Sequence, residues 1–277
     1  LNKNFLVRTL SGVGLLVIVL GAVLWSPFSM LVLMAVLMAG SLTEFFRIAR
    51  LKGARPLVAY PVVIGLSALA LAFAVQTGRC PAPAFALLLP MIFALFVAEL
   101  YRRHENPLGN VCWELGGLVY IALPFALLAT IPLRGACSAG SSYVPGDMLA
   151  IIFIVWANDV GAYLAGSLFG RHRLFERISP KKSWEGSIGG AVFSIASSFV
   201  FAHFFPFISM WQWAGLAVVV VIFGTWGDLT ESLMKRQLGI KDSGNILPGH
   251  GGMLDRFDSA LMAIPAAVFY LYILSMI

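Results

Sequence analysis

Long apolar stretches alternate with short polar loops along the whole chain. Nine of the stretches can cross a bilayer, some only with tilt or with packing against neighbours. They lie near residues 9–25, 29–43, 58–75, 83–100, 115–132, 148–170, 188–208, 214–228 and 260–276. The pattern predicts an all-α integral membrane protein with about nine transmembrane helices. We expect no cleavable signal peptide, because further spans follow the first.

The composition supports this prediction, and the positions of the cations add an orientation. Of the 277 residues, 60% are hydrophobic and 12% are charged, which is about half the charged fraction of soluble domains. If the N-terminus is cytoplasmic, every Lys and Arg except Arg79 and Arg134 lies on the cytoplasmic side. By the positive-inside rule we expect a multi-pass protein of the cytoplasmic (inner) membrane, with its N-terminus on the cytoplasmic side. An active site formed by the cation-rich loops would then lie on the cytoplasmic side.

Polar chemistry divides the chain into an N-terminal transmembrane scaffold, 1–147, and a C-terminal catalytic transmembrane region, 148–277. In the scaffold, charged residues at span ends receive a structural role, because such side chains normally reach toward water. They are Glu44, Arg47, Glu99, Arg102 and Arg103. Cys80 and Cys137 both fall in outside loops, so a disulfide between them is a minor hypothesis.

The first candidate functional residues lie inside a span. The stretch VWANDVGAYLAGSLFG carries Asn158 and Asp159 near its middle. A carboxylate within a membrane is costly, and it is usually functional or paired in the bundle interior. A polar contact between helices, with glycines allowing close approach, is the alternative. We favour a functional role, in which both residues line a cavity open to lipid and to cytoplasm.

A second candidate is the loop RISPKKSWEGSIGG, residues 177–190, which leads into the next span. We expect Ser179 and Pro180 to begin a helical turn from which Lys181 and Lys182 project. Cations at a helix N-terminus are unfavourable unless an anion offsets them, so this turn suits a phosphate. The alternative is a simple positive-inside loop. That alternative explains the lysines but leaves the surrounding polar and glycine residues, such as Glu185, without a role.

The third candidate follows the eighth span. If 226–238 is helical, Asp228, Glu231 or Ser232, and Lys235 share one face. Asp255 and Asp258 are also three residues apart, and one helix there would point both carboxylates the same way. The intervening PGHGG, residues 248–252, can turn sharply and bring backbone N–H groups close to a ligand.

Clustered carboxylates without Cys or His partners suit a hard cation, Mg²⁺ first. The cytoplasmic loops around them carry many Lys and Arg residues. An acidic metal site within a basic surround is the arrangement that phosphoryl or nucleotidyl transfer requires, because two anions must meet. The chain has no G-x-x-x-x-G-K-[ST] motif, so it is not an ordinary P-loop enzyme.

The stretch SLMKRQLGIKDSGNILPGHGGMLDRFD, residues 232–258, resembles the signature of the phosphatidate cytidylyltransferases, or CDP-diacylglycerol synthases. All its specified positions are present: Ser232, Lys235, Arg236, Lys241, Asp242, Gly244, Pro248, His250, Gly251, Gly252, Asp255, Arg256 and Asp258. GDLTES, SPKKSWEG and the Asp of ANDVGAYLAG are also similar to family segments. The resemblance implies transfer of a cytidylyl group from CTP to phosphatidic acid, giving CDP-diacylglycerol and pyrophosphate.

The resemblance also implies residue roles. Asp228, Asp255 and Asp258 are expected to be catalytic and to bind Mg²⁺, and Lys235 is expected to be catalytic. A second, monovalent cation such as K⁺ is implied by family analogy. The predicted substrate-binding residues are Asn158, Asp159, Ser179, Lys181, Lys182, Ser183, Glu185, Ser232, Arg236, Lys241, Asp242, His250, Gly251, Gly252 and Arg256. A structural role for His250, as a hinge residue bonded to backbone, is weighed nearly evenly against substrate contact.

The expected partners are CTP, phosphatidic acid and the bilayer, with a homodimer allowed and no nucleic acid. The nearest alternative is a CTP-dependent polyprenol or lipid kinase, which would release CDP. A CDP-alcohol phosphatidyltransferase is disfavoured, because its D-G-x-x-A-R signature is missing. A cation-coupled transporter would use Asp159 as its binding site, but it would not explain the polar motif of 232–258.

Overall fold

The structure is a computed structural model that describes residues 3–133, 143–244 and 251–276, with side chains from residue 12 onward. Helices account for most of the described residues. They are α1 (Lys3–Trp25), α2 (Pro27–Ala49), α3 (Ala59–Gln76), α4 (Leu88–Arg102), α5 (Pro107–Gly117), α6 (Leu123–Thr130), α7 (Pro145–Phe169), α8 (Trp184–Phe204), α9 (Met210–Leu238) and α10 (Asp258–Leu274). Two short strands, β1 (Arg173–Phe175) and β2 (Ser179–Ser183), pair antiparallel between α7 and α8.

Seven helical segments in the described residues are long and apolar enough to span a membrane. They are Pro27–Lys52, Ala59–Gln76, Ala82–Arg102, Pro107–Leu133, Pro145–Phe169, Trp184–Phe204 and Met210–Leu238. Two shorter apolar helices, Gly12–Trp25 and Asp258–Leu274, coincide with the first and last predicted spans. The all-α, multi-pass membrane architecture is therefore confirmed, while the count of nine spans stays a prediction.

The chain separates into two compact units. Unit 1 comprises residues 1–145 and 242–257, and unit 2 comprises residues 146–241 and 258–277. The segment 242–257, which carries much of the polar motif, therefore groups with the N-terminal helices. A Phe125–Phe257 ring contact, with centroids 5.3 Å apart, is one of the apolar contacts that place this segment against α6.

Within unit 2, small residues let the helices approach closely. A Cβ on Gly161 of α7 would lie 2.9 Å from the carbonyl oxygen of Gly189 on α8. A Cβ on Gly227 of α9 would lie 2.5 Å from the carbonyl oxygen of Asp258 on α10. These distances are shorter than van der Waals contact, so glycine is what permits the observed packing.

The helical turn predicted at Ser179 and Pro180 is wrong. Residues from Ser179 to Ser183 form strand β2, and Trp184 N donates to the carbonyl oxygen of His172 at 2.9 Å. The helix begins one residue after Ser183, whose hydroxyl accepts from Gly186 N at 3.1 Å. Residues 179–183 form their hydrogen bonds within the hairpin. The N-cap of the helix is therefore Ser183 and not Ser179.

Candidate active site

A group of acidic side chains lies in unit 2 where α7, α9 and α10 carry polar residues. We call Asp159, Asp228, Glu231 and Asp258 the carboxylate cluster. Asp159 interacts electrostatically with both Asp228 and Asp258, and Asp258 also contacts Glu231. The helix predicted over 226–238 is confirmed by α9, so Asp228 and Glu231 do lie on one face.

Two lysines meet this cluster. Lys182 Nζ of β2 lies 2.5 Å from Asp228 Oδ2, and both side chains are partly exposed. The other oxygen of Asp228 accepts from the Ser232 hydroxyl at 3.2 Å. Lys235 Nζ lies 3.3 Å from the buried Glu231 carboxylate, one helical turn away. The hairpin and α9 therefore bring Lys182, Ser232 and Lys235 to the acidic residues.

Among the described residues, the carboxylate cluster holds more acidic than basic side chains. Its four carboxylates are accompanied by the ammonium groups of Lys182 and Lys235, and the charge of Asp228 acts unfavourably on those of Asp159 and Asp258. Among the described residues, no three His, Cys, Asp or Glu side chains already form a metal-binding group. Carboxylate oxygens of this kind could hold a hard cation such as Mg²⁺.

Asn158 and Asp159 differ in their surroundings. Asn158 is buried, and in the described part of the chain its Oδ1 has no hydrogen-bond partner. Asp159 is exposed, and its Oδ1 lies 3.4 Å from the Ser259 hydroxyl of α10. The exposed Asp159 therefore belongs to the carboxylate cluster, while the buried side chain of Asn158 packs against Gly190 of α8.

The first turn of α8 is organised by Glu185. Its carboxylate accepts from Arg171 N at 3.1 Å and from His172 N at 3.2 Å, and it lies 2.6 Å from His172 Nδ1. These contacts tie α8 to the start of the hairpin that carries Lys182. Lys181 is exposed on the same strand. The structure thus gives Glu185 a role in holding the hairpin.

In unit 1, Asp255 organises the glycine-rich end of the motif. Its Oδ2 accepts from Ser243 N at 2.9 Å and from Gly252 N at 2.8 Å. Gly251 has φ 81°, a left-handed backbone that favours glycine. One carboxylate oxygen therefore joins the two ends of the 242–257 segment.

Glu44 anchors the same segment from α2. Its side chain is fully buried, and Oε2 accepts from Leu254 N at 2.9 Å and from the Ser243 hydroxyl at 3.3 Å. A Cβ on Gly252 would lie 2.5 Å from this oxygen, so the segment packs closely against the Glu44 side chain of α2. The general structural role predicted for Glu44 missed this link. The only sequence signal was an acidic residue within an apolar helix.

The expectation that one helix points Asp255 and Asp258 the same way is wrong. Asp255 lies in a short 3₁₀ helix, Leu254–Arg256, and α10 begins at Asp258. The intervening Phe257 has φ −118°, which interrupts the helical backbone. Asp255 belongs to unit 1 and Asp258 to unit 2, so the spacing of three residues is not a helical spacing here.

The remaining predicted residues separate by unit. Those in unit 2 are Ser179 on β2, Arg236 on α9 and Lys241 after α9; those in unit 1 are Asp242, Gly251, Gly252 and Arg256. His250 lies outside the described residues, as does Cys137 of the proposed disulfide. Sequence reasoning did not assign site roles to Ser243 and Ser259, small residues whose backbone or hydroxyl contacts depend on the fold.

Comparisons with known proteins agree with these motifs. A family model described as the cytidylyltransferase family matches residues 6–274. The chain is 38% identical over 191 residues to the phosphatidate cytidylyltransferase of Mycobacterium leprae (strain TN), covering 64% of this chain and 57% of that protein. It is 36% identical over 179 residues to that of Staphylococcus saprophyticus, covering 64% of this chain and 65% of that protein.

The phosphatidate cytidylyltransferase of Staphylococcus aureus (strain COL) is 36% identical with the same coverage. The matched regions span less than two thirds of the length of these relatives. The family model, in contrast, covers nearly the whole of this chain, including α7–α10 and the 242–257 segment. On that match, this membrane-spanning chain belongs to the cytidylyltransferase family.

Proposed function

We propose that the protein transfers a cytidylyl group from CTP to phosphatidic acid, making CDP-diacylglycerol for phospholipid synthesis. One observation carries the proposal: Lys182 of the hairpin lies 2.5 Å from Asp228, which neighbours other acidic side chains of the carboxylate cluster. Cations held beside an excess of acidic groups suit a reaction between two phosphates. Three relatives named phosphatidate cytidylyltransferase support the choice of substrates.

The proposed reaction is an in-line displacement at phosphorus. An oxygen of the phosphatidic acid phosphate attacks the α-phosphorus of CTP and forms the new P–O bond. The bond from the α-phosphorus to the oxygen bridging the α and β phosphorus atoms breaks, and pyrophosphate leaves with its electron pair. A phosphate monoester has a second pKa of about 6, so the nucleophile is already largely ionised at neutral pH. The proposed reaction needs no protein group to remove a proton.

In this reaction Lys182 and Lys235 neutralise phosphate charge. Both ammonium groups are already positioned, by Asp228 and Glu231 respectively, so little side-chain freedom is lost on binding. We propose that Lys181, Arg236 and Lys241 of unit 2 add charge for the triphosphate and the lipid phosphate. Substrate binding by Arg256 of unit 1 stays a prediction from the family resemblance. Asp255 then acts by shaping the 242–257 segment through Ser243 and Gly252.

The donor set of the carboxylate cluster fits Mg²⁺. Its oxygen ligands are of the hard type, and its excess of carboxylates is relieved by a divalent cation. We propose that Asp228 and Asp258 of unit 2 hold Mg²⁺. Metal binding by Asp255 stays a prediction from the family resemblance. An incomplete protein cage suits this ion, which usually keeps waters and binds substrate phosphates. When bound, Mg²⁺ would offset the charge that develops on pyrophosphate.

We further propose nine spans, a cytoplasmic N-terminus and an active site facing the cytoplasm of the inner membrane. The cations support this orientation, since all but Arg79 and Arg134 fall on one side of a nine-span topology. Asp159, exposed on α7, would face the lipid headgroup at this surface. A homodimer and a monovalent cation such as K⁺ remain predictions from the family resemblance.

The test is pyrophosphate release by purified protein in micelles containing phosphatidic acid. We expect release that requires CTP, phosphatidic acid and Mg²⁺ together, and that EDTA abolishes. Asp258→Asn should reduce turnover about 10²- to 10³-fold, the usual cost of losing an interaction that stabilises transition-state charge. Glu176→Gln, which removes an exposed carboxylate of the hairpin turn, is the matched control. Release from CTP without phosphatidic acid, or equal loss in both variants, would contradict the proposal.

A further inference from the structure

A polar cavity of about 800 Å³ lies in unit 1, and it is lined by none of the residues that we assign to the proposed reaction. Its wall carries four arginines, Arg50, Arg55, Arg102 and Arg103, and a single carboxylate, Glu105. We call it the arginine cavity. It lies just past the ends of α2 and α4, at the ends of two candidate membrane spans.

A buried framework fixes one side of the arginine cavity. Asn110, which is 1% exposed, accepts from Arg55 N at 2.7 Å and donates to Glu99 Oε2 at 2.9 Å. Arg102 pairs with Glu99 and donates through Nη2 to the carbonyl oxygen of Arg55 at 2.8 Å. The charge of Arg102 is therefore balanced, and the backbone at Arg55 is held in place.

The other three arginines are not balanced in this way. Arg50, Arg55 and Arg103 are exposed, and none forms an ion pair within the described residues. Arg103 also has φ 49°, the left-handed backbone, which it alone adopts among the described non-glycine residues. Arg103 is the left-handed C-cap residue that ends α4, so the end of this helix places Arg103 at the cavity wall.

We propose that the arginine cavity binds an anion bearing a phosphate group. Arginine is suited to this ligand because its planar guanidinium donates two parallel hydrogen bonds to phosphate oxygens. The volume lies within the range of small-ligand sites. The ligand is either the headgroup of an anionic lipid, which this position at the span ends favours, or a soluble phosphate compound.

Binding to the purified chain is measured by thermal unfolding in the presence of three probes. The probes are inorganic phosphate alone, mixed micelles containing phosphatidylglycerol, and the same micelles with phosphatidylcholine. The test variant is Arg50→Gln with Arg55→Gln. Arg103→Asn is a second variant, since Asn tolerates the left-handed backbone. The matched control is Arg47→Gln, an exposed arginine on α2 that does not line the cavity.

We expect the double variant to weaken binding roughly 25-fold, from about fivefold for each arginine removed near a membrane surface. Arg103→Asn should weaken it about fivefold, and the control less than twofold. A response to phosphate alone identifies a soluble ligand, and a response only to phosphatidylglycerol identifies a headgroup. Equal affinity in all variants, equal weakening by Arg47→Gln, or no response to either anionic probe overturns the proposal. Because the readout is binding, none of these results bears on cytidylyl transfer.

Discussion

Glu44→Ala tests how α2 holds the 242–257 segment. The change removes the acceptor of Leu254 N and of the Ser243 hydroxyl, which lie 2.9 and 3.3 Å from Glu44 Oε2. Two hydrogen bonds to a carboxylate contribute about 3–6 kcal/mol together. The second oxygen, Oε1, is buried without a hydrogen-bond partner in the described part of the chain. Removing this buried oxygen relieves a desolvation cost of about 1–3 kcal/mol, which offsets part of the loss. The net expected loss of local stability is about 3 kcal/mol.

Hydrogen exchange of the backbone amides measures this loss directly. A decrease of about 3 kcal/mol raises the open population roughly 10²-fold, so peptides covering Leu254 should exchange about that much faster in detergent micelles. Glu44→Gln should give a smaller increase, near tenfold, because its amide oxygen can still accept from Leu254 N. Glu105→Ala, an exposed carboxylate of the same unit, is the control and should leave exchange unchanged.

The functional consequence follows from the same contacts. Asp255 is positioned by Ser243 and Gly252, so opening the segment disturbs a predicted metal ligand. The rate of pyrophosphate release should therefore be reduced most in Glu44→Ala, which exchanges fastest, and less in Glu44→Gln. Unchanged exchange at Leu254 in Glu44→Ala would refute the reasoning, because the buried hydrogen bonds would then contribute nothing to holding the segment.

Two further changes test unit 2. Gly227→Ala should lower the melting temperature, since the new Cβ would lie 2.5 Å from the carbonyl oxygen of Asp258 and overpacking costs about 1–3 kcal/mol. Gly21→Ala, with no atom near its Cβ, should not lower it. Lys182→Gln should raise the KM for CTP and reduce turnover at least tenfold, while Lys182→Arg should recover part of both; equal kinetics for the two variants would show that the charge paired with Asp228 is not used.

Much of the architecture could be predicted because the length of a run of apolar residues can be read directly from the local sequence. The spans follow directly from runs of hydrophobic residues, and α9 places Asp228 and Glu231 on the face that helical spacing requires. The motif of 232–258 also pointed to the family that the comparisons show. These predictions need no knowledge of which segments pack together.

The remaining features depend on long-range contacts. Ser179 and Ser183 both precede plausible helix starts, and strand pairing with 173–175 selects Ser183. Asp255 and Asp258 share a helical spacing in the sequence, yet Phe257 breaks the helix between them. Glu44 lies about 200 residues before the segment that it anchors, so local pattern could not connect the two.

The most direct test of the central claim follows two labels in parallel reactions, one with α-labelled and one with γ-labelled CTP. Each contains purified protein, phosphatidic acid and Mg²⁺. The account predicts that α-label enters lipid, that γ-label leaves as pyrophosphate, and that Asp228→Asn loses both. Label from γ-labelled CTP in lipid, with CDP as the soluble product, would contradict cytidylyl transfer and identify a lipid kinase.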